Sequence, residues 1–190
     1  MELSLKNRNA IVCGSTQGIG EASAIELANL GANVTLIARN ESKLLDVLND
    51  LDTSKGQTHS FIAIDFRDSE KLKEEVNLLK SNYHILVNNT GGPAAGPIAD
   101  ADTNAFEEAF RMHLINNQIL VQKVVEGMKQ EGYGRIVNII STSVKAPIAG
   151  LGVSNTIRAA VANWAKTLSV ELGAYGITVN NVLPGFTNTN

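Results

Sequence analysis

Three glycines near the N-terminus have a spacing that suits a phosphate-binding turn. Gly14, Gly18 and Gly20 follow a short apolar run and lead directly into a helical stretch. Glycine allows a tight turn and a close backbone approach, and the free amides at a helix start favour a phosphate. The spacing GxxxGxG differs from the common GxGxxG fingerprint, so the glycines alone could also form a plain structural turn. Their position between a strand and a helix favours a dinucleotide site.

Arg39 lies where a dinucleotide site distinguishes NAD from NADP. It follows the second predicted strand, at a position where an NAD-selective site places a carboxylate for the ribose hydroxyls. The segment Ala38-Arg39-Asn40 has no acidic residue, and a guanidinium can bind a 2′-phosphate. The sequence therefore favours NADP over NAD, and the alternative is that Arg39 is a solvated loop residue.

Short apolar runs alternate with helical stretches along the chain. The runs predict strands at residues 10–12, 34–37, 61–64, 85–87, 136–140 and 177–183. Helices are predicted near residues 18–30, 41–51, 68–80, 103–130 and 153–173. Because the runs are continuously apolar, we expect strands buried on both faces of a parallel sheet that helices cover. The predicted fold is a doubly wound α/β domain, a three-layer αβα Rossmann domain that occupies residues 1–190 as a single domain.

Composition and charge favour a globular chain that acts on small molecules. Of 190 residues, 44% are hydrophobic and 18% are charged. The formal net charge of -3 gives little electrostatic support for binding nucleic acid or an anionic membrane. Cys13 is the single cysteine, which excludes an internal disulfide and a CxxC metal site. Without a signal pattern or a long apolar stretch, the sequence predicts a cytoplasmic protein with no metal, nucleic-acid partner or membrane partner.

Four motifs occur in a fixed order along the chain. They are Gly14-xxx-Gly18-Ile19-Gly20, Asn88-Asn89-Thr90-Gly91, Gly134-Arg135-Ile136-Val137-Asn138-Ile139-Ile140-Ser141 and Pro184-Gly185. With this order and spacing, the whole chain resembles the short-chain dehydrogenase/reductase family, closest in appearance to its 3-oxoacyl-ACP reductase group. The resemblance implies a nicotinamide cofactor and a small carbonyl or alcohol substrate.

The resemblance also implies cofactor-binding positions, all at the carboxyl ends of predicted strands. Those for the pyrophosphate are Gly14, Ser15, Gly18, Ile19 and Gly20, and those for the adenosine are Arg39, Asp65 and Phe66. The ribose would face Asn89 and Gly91, and the nicotinamide would border Pro184, Gly185, Phe186, Thr187 and Thr189. Open α/β sheets bind ligands at this edge. As alternatives, Asp65 could be a turn or cap residue, and Asn88 and Asn89 could tie strands together.

Most catalytic positions of the family carry other residues in this chain. Family members use a serine for the carbonyl oxygen, a tyrosine as proton donor, a lysine four residues later and an asparagine on the fourth helix. Ser141 matches the serine, and the same register places Ser154, Arg158 and His113 at the other three positions. No tyrosine of this chain is followed by lysine four positions later.

Ser154 and Arg158 are expected to share one helix face, since they are four residues apart. An aliphatic hydroxyl is a far poorer proton donor than a phenol, and arginine stays protonated. The proton would then come from water or from His113, which is taken to titrate near neutrality. The alternatives are that Ser154 and Asn155 form a helix N-cap, that Arg158 is solvated and also binds no cofactor, and that His113 is a half-buried helix residue.

Two functions follow from these residues. The first is an NADP(H)-dependent oxidoreductase that moves a hydride between the nicotinamide and a carbonyl or secondary alcohol held by Ser141, with Arg158 stabilising charge or holding ribose. The second is a nucleotide-binding but catalytically silent protein of the same family. A scaffold that binds no nucleotide conflicts with the glycine turn.

The two longest predicted helices suggest self-association. Their apolar residues are too numerous for one sheet face, and the residues offered to a partner are Phe106, Phe110, Ile119, Val124, Val161, Trp164 and Leu168. The family resemblance implies a homodimer or homotetramer through these helices. Family members also continue beyond the sixth strand with a substrate-covering segment, which leads us to expect that this lid is missing or has been removed.

Overall fold

Six strands build one parallel sheet at the centre of the protein. The computed structural model describes residues 3–185 and residue 187. The strands are β1 (Asn9–Cys13), β2 (Asn33–Ala38), β3 (Ser60–Ala63), β4 (Ile85–Asn88), β5 (Gly134–Ile139) and β6 (Ile177–Val182). They lie in the order β3-β2-β1-β4-β5-β6, and every neighbouring pair is parallel. Each strand falls on one of the predicted apolar runs.

Helices form the two outer layers. They are α1 (Gly18–Asn29), α2 (Glu41–Asp50), α3 (Ser69–Leu78), α4 (Thr103–Phe110), α5 (Asn116–Glu131) and α6 (Gly152–Leu172). A π-helical segment, Arg111–Ile115, joins α4 to α5, so the single helix predicted over residues 103–130 contains a change of helix type. Among the described residues, no helix has both the length and the apolarity that crossing a bilayer requires.

The alternation of side chains along β1 shows why the helices cover both faces. Ile11 and Cys13 pack into one buried cluster with α3, α5 and α6, whereas Ala10 and Val12 pack into another with α1 and α2. Cys13 is fully buried in the core, and this burial raises the pKa of its thiol to about 12. The structure confirms the predicted doubly wound α/β fold with three layers.

The order of the strands reverses between β1 and β4. These two strands lie side by side, and their crossover helices cover opposite faces of the sheet. The loops that follow them therefore diverge at the carboxyl edge, which is where open α/β sheets bind ligands. The loop after β4 is anchored at its far end, because Gly96 N donates to Gly150 O over 2.6 Å.

Candidate active site

A cleft of about 720 Å³ opens at this carboxyl edge. The predicted residues that line it are Gly14, Gly18, Ile19, Arg39, Asp65, Phe66, Asn89, Gly91 and His113. Within residues 3–185 and 187, the predicted residues that do not line it are Ser15, Gly20, Ser141, Ser154, Arg158, Pro184, Gly185 and Thr187. Phe186 and Thr189 lie outside the described residues. The structure thus brings the predicted adenosine and phosphate positions together in one cleft.

The glycine turn is held against the end of β4. Gly14 has a φ of +58°, a conformation that favours glycine. The Asn89 amide donates to the carbonyl oxygens of Cys13 at 3.3 Å and Gly14 at 3.2 Å, so this side chain ties the two loops together. Gly20 lets α1 pack closely against this turn, because a Cβ at position 20 would lie only 2.1 Å from the Gly14 carbonyl oxygen. Ser15 is fully buried beside the turn.

The first turn of α1 faces the cleft with its amides uncapped. The N-cap residue Gln17 makes no side-chain hydrogen bond to the helix. Thr16 and Gln17 line the cleft together with Gly18, although the sequence did not single out the first two. Free amides at a helix start bind phosphate groups well, so this local geometry fits the pyrophosphate of a dinucleotide.

Two arginines act on Asp65 at the predicted adenosine end of the cleft. Arg67 donates from Nη2 to Asp65 Oδ2 over 2.6 Å, and its backbone amide donates to Oδ1 over 3.0 Å. These hydrogen bonds from Arg67, with a smaller contribution from the charge of Arg39, lower the pKa of Asp65. Lys43, in the first turn of α2, also lines the cleft. Sequence reasoning missed Lys43 and Arg67, although Lys43 follows Arg39 at helical spacing.

Asn88 contributes to the sheet and not to the cleft. Its amide donates to Asn138 Oδ1 over 2.8 Å, and the Asn138 amide donates to Asn181 Oδ1 over 3.0 Å. The three residues are register partners on β4, β5 and β6. The alternative interpretation that Asn88 ties strands together is therefore confirmed, whereas Asn89 lines the cleft.

Ser141 follows the end of β5 and begins a short 3₁₀ turn. Its Oγ accepts a hydrogen bond from Ser143 N at 3.1 Å, which leaves the hydroxyl proton free to be donated elsewhere. Ser154 lies within the first turn of α6. That helix begins at Gly152 with Leu151 as N-cap residue, so the alternative interpretation of Ser154 as a helix cap is wrong.

Arg158 reaches from α6 to the carboxyl end of β5. Its Nη1 donates to the Ile139 carbonyl oxygen over 2.9 Å, and its Nη2 lies 3.8 Å from the position of a Cβ on Gly92. Burial lowers the pKa of the guanidinium to about 10. The alternative of a solvated Arg158 is therefore wrong, because the guanidinium is partly buried and hydrogen-bonded, and its Nη2 approaches Gly92, which lines the cleft.

His113 lies in the π-helical segment and is only 3% exposed. Burial, and secondly the positive charge of Arg158, lowers its pKa to about 3, although a backbone hydrogen bond with Gly91 opposes this shift. The expectation that His113 titrates near neutrality is wrong, and so is the alternative of a half-buried residue. A neutral imidazole of this kind cannot supply a proton at physiological pH. Its Nε2 atom has no hydrogen-bond partner within the described structure.

The sequence matches a known family along almost its whole length. The family model described as short chain dehydrogenase matches residues 8–190. This chain belongs to the short chain dehydrogenase family. The predicted family membership is thereby confirmed, and the strand order agrees with it.

Some relatives of this chain are named as reductases, and others are not. The NADPH-dependent aldehyde reductase-like protein, chloroplastic, of Arabidopsis thaliana is 32% identical, covering 96% of this chain and 73% of its own. The inactive hydroxysteroid dehydrogenase-like protein 1 of Homo sapiens is 31% identical, covering 96% of this chain and 57% of its own. L-sorbose reductase from Gluconobacter frateurii, crystallised with NADPH and L-sorbose, superimposes with a TM-score of 0.91 at 28% identity, covering 100% of this chain and 73% of that one.

From the low pKa of His113 we expect the stability of this chain to depend on pH. The folded-state pKa of about 3 lies below the ordinary value of 6.5, so between these values the unfolded chain binds a proton that the folded chain does not. We therefore expect the free energy of unfolding to fall as the pH decreases from 6.5, and His113 to contribute no pH dependence above that value. Urea unfolding at pH 7.5 and 5.0 measures this, with His113→Gln as the comparison. A variant that loses as much stability as the wild type on acidification would contradict the assignment.

Proposed function

We propose that this chain is an NADP(H)-dependent oxidoreductase that interconverts a carbonyl and a secondary alcohol at Ser141. The observation that carries the proposal is the cleft at the β1/β4 edge, where the glycine turn, the uncapped start of α1 and the Arg39 side chain face one space. The names of the Arabidopsis relative and of the L-sorbose reductase, both of which include NADPH, support this cofactor.

The residues present fit the dinucleotide along the cleft. The start of α1 would hold the pyrophosphate, Arg39 and Lys43 the 2′-phosphate, and Asp65 with Phe66 the adenine. The Asn89 amide nitrogen donates to two backbone carbonyls, so Asn89 Oδ1 and the Gly91 backbone would contact the ribose. The assignments of Pro184, Gly185, Thr187 and Thr189 to the nicotinamide remain predictions from the family resemblance.

Ser141 and Arg158 would stabilise the negative charge that develops on the substrate oxygen. When bound, the cofactor supplies or accepts the hydride. The Ser141 hydroxyl donates a hydrogen bond to the substrate oxygen, and the fixed charge of Arg158 stabilises the negative charge that develops there. His113 stays neutral and Ser154 is a weak acid, so the proton comes from water that enters the cleft.

Arg39 should set the preference for NADPH over NADH. Because Arg39→Asp replaces a phosphate-binding cation with a repelling carboxylate, we expect the ratio of the two affinities to fall by about 10- to 100-fold. Fluorescence titration with each cofactor measures the ratio. Lys166→Asp is the control, since it makes the same charge change on the exposed side of α6. An unchanged ratio in Arg39→Asp would refute the assignment.

A second candidate function is a nucleotide-binding protein without turnover. The low pKa of His113 favours it, since it removes the nearest alternative proton donor, and a relative of similar identity carries the word inactive in its name. The discriminating experiment is NADPH titration followed by an absorbance screen with ketones, aldehydes and alcohols. Binding followed by oxidation of NADPH supports the oxidoreductase, and binding without any turnover selects the silent protein.

We further infer that the chain forms a homodimer or homotetramer through α4, α5 and α6. Phe110 is 41% exposed and, with Phe106, Ile115 and Ile157, borders an open apolar cavity of about 530 Å³ on this face. Two of the predicted interface residues were wrong, because Val124 and Val161 are each only 1% exposed and belong to the buried core.

The interface prediction is tested by sedimentation. We expect Phe110→Glu to shift the wild-type assembly towards monomer at micromolar concentration, since it places a charge on the apolar face. Leu78→Glu, which makes a similar change on α3 at a residue that is 71% exposed, is the control. A wild-type chain that is monomeric at this concentration would refute the proposal.

A further inference from the structure

Residues 65–68, the adenosine loop, connect β3 to α3 and belong to no helix or strand. Three of its residues, Asp65, Phe66 and Arg67, line the cleft. The hydrogen bonds that Arg67 and the Asp68 amide donate to Asp65 lie within the loop, so they shape it without fixing it to the rest of the protein. The position of the loop therefore depends on contacts from other elements.

Asn116, the first residue of α5, supplies such a contact. Its Nδ2 donates to the Phe66 carbonyl oxygen over 2.6 Å, and its Oδ1 accepts from the Ser69 hydroxyl over 2.6 Å. The Asn116 residue is only 1% exposed. Because the amide is buried, a variant without it leaves the Phe66 carbonyl without a partner, and that loss is costly.

The surroundings of the Asn116 amide allow it one orientation. A backbone carbonyl only accepts hydrogen bonds, so the group that faces Phe66 must be the amide nitrogen. The amide oxygen then faces Ser69, whose hydroxyl is the donor. The two bonds support each other, because Ser69 holds the amide in the orientation that the Phe66 carbonyl requires.

The Phe66–Arg67 peptide carries the effect of Asn116 to Asp65. The carbonyl of this peptide accepts from Asn116, and its N–H, that of Arg67, donates to Asp65 Oδ1 over 3.0 Å. Since a peptide group is planar, fixing its carbonyl also fixes the direction of its N–H. Asn116 thus orients the Asp65 carboxylate through one peptide group.

Asn116 also lies at the end of the π-helical segment that joins α4 to α5. Its backbone amide donates to the Arg111 carbonyl oxygen and closes that segment. Met112 and His113, which belong to the segment, line the cleft. Single π-helical turns are rare and frequently lie at functional sites. One buried residue therefore joins the adenosine loop to the part of the cleft wall that Met112 and His113 form.

We propose that Asn116 is a positioning residue for the adenosine half of the cofactor and acts through the Phe66–Arg67 peptide. The inference rests on the proposed function, which places the adenine against Asp65 and Phe66. Without the Asn116 amide, the peptide can rotate and the Asp65 carboxylate loses its fixed direction. The glycine turn that would hold the pyrophosphate keeps its own contacts with Asn89, so the loss is confined to the adenosine half.

The test is calorimetric titration with adenosine 2′,5′-bisphosphate and with NADPH. Asn116→Leu keeps the shape of the side chain and removes both hydrogen bonds, so it should weaken the binding of both ligands by about 5- to 10-fold. Ser69→Ala removes only the hydroxyl that orients the amide, and its loss should be about 2- to 4-fold. Asn117→Leu, the same change at the next buried residue of α5, should cost less than about 2-fold, since within the described residues Asn117 forms no hydrogen bond with the adenosine loop.

Several results would overturn the proposal. They are unchanged bisphosphate affinity in Asn116→Leu, equal losses in Asn116→Leu and Asn117→Leu, and a loss for NADPH that exceeds the loss for the bisphosphate. Urea unfolding shows which variants are folded, and Ser69→Ala decides the question if Asn116→Leu is not. A wild type that binds neither ligand refutes the proposed function as well, whereas a wild type that binds both, with no loss in the variants, refutes only the role of Asn116.

Discussion

Replacing Arg158 with alanine should lower kcat for carbonyl reduction by about 10²- to 10³-fold, the usual effect of removing one donor aimed at a developing oxyanion. The reason is that Arg158 is a partly buried cation that binds the carbonyl oxygen of Ile139, the last residue of β5, and Ser141 follows that strand two residues later. Ser141→Ala should cause a loss of similar size, because it removes the hydroxyl donor. Steady-state NADPH oxidation with one carbonyl substrate measures both.

Ser154 provides the matched control for these two variants. Ser154→Ala also removes one hydroxyl near the start of α6, but that hydroxyl is a poor acid, so the loss should stay below that of Ser141→Ala. Robust wild-type turnover that is indifferent to Arg158→Ala would contradict the mechanism. If the protein is catalytically silent, we expect a different result. The single variants would leave a negligible rate of NADPH oxidation unchanged, and Ser154→Tyr combined with Arg158→Lys would create measurable reduction of the carbonyl substrate.

Gly20→Ala should be the most damaging small substitution in the cofactor-binding half of the protein. The added Cβ would lie 2.1 Å from the Gly14 carbonyl oxygen and 2.7 Å from the Asn89 amide nitrogen, and the first of these is backbone that cannot rotate away. We expect a loss of at least about 2 kcal/mol in the free energy of unfolding, together with weaker NADPH binding, because α1 must move relative to the turn. Urea unfolding and fluorescence titration measure the two effects.

Gly173→Ala is the control for the glycine prediction. A Cβ on Gly173 would meet no atom within 4 Å, and the backbone there is helical. Its effect on stability should therefore stay within about 0.5 kcal/mol. If Gly20→Ala were as stable as Gly173→Ala and bound NADPH equally well, the packing of α1 against the turn would not have the role assigned to it.

The fold could be predicted from the sequence because its signals are local. Continuous apolar runs separated by amphipathic stretches are typical of strands buried between helices, and the glycine turn marks where β1 ends. The π-helical segment Arg111–Ile115 was not predictable in this way. Its five residues interrupt a long amphipathic stretch without glycine or proline, so the periodicity of residues 103–130 still indicates one continuous helix.

The site was predicted less completely, because its chemistry depends on burial. Sequence position alone placed Arg158 and His113 at family catalytic positions, yet burial lowers the pKa of both groups, and the charge of Arg158 lowers that of His113 further. A histidine that is almost fully buried beside a guanidinium loses its titration near neutrality, and the sequence contains no signal for that proximity. Likewise, Val124 and Val161 would be apolar helix residues both in an interface and in the core, and only their burial in the structure shows that they belong to the core.

Transfer of deuterium from NADPH to a product alcohol is the most direct evidence that this protein transfers a hydride. Wild-type protein is incubated with NADPH carrying deuterium at C4 of the nicotinamide and with a panel of 2-oxo acids, ketones and aldehydes, and the alcohols are analysed by mass spectrometry. We expect an alcohol with one deuterium on the former carbonyl carbon, formed at a rate that Ser141→Ala and Arg158→Ala reduce. Saturable NADPH binding with no deuterated alcohol from any member of the panel would contradict this expectation.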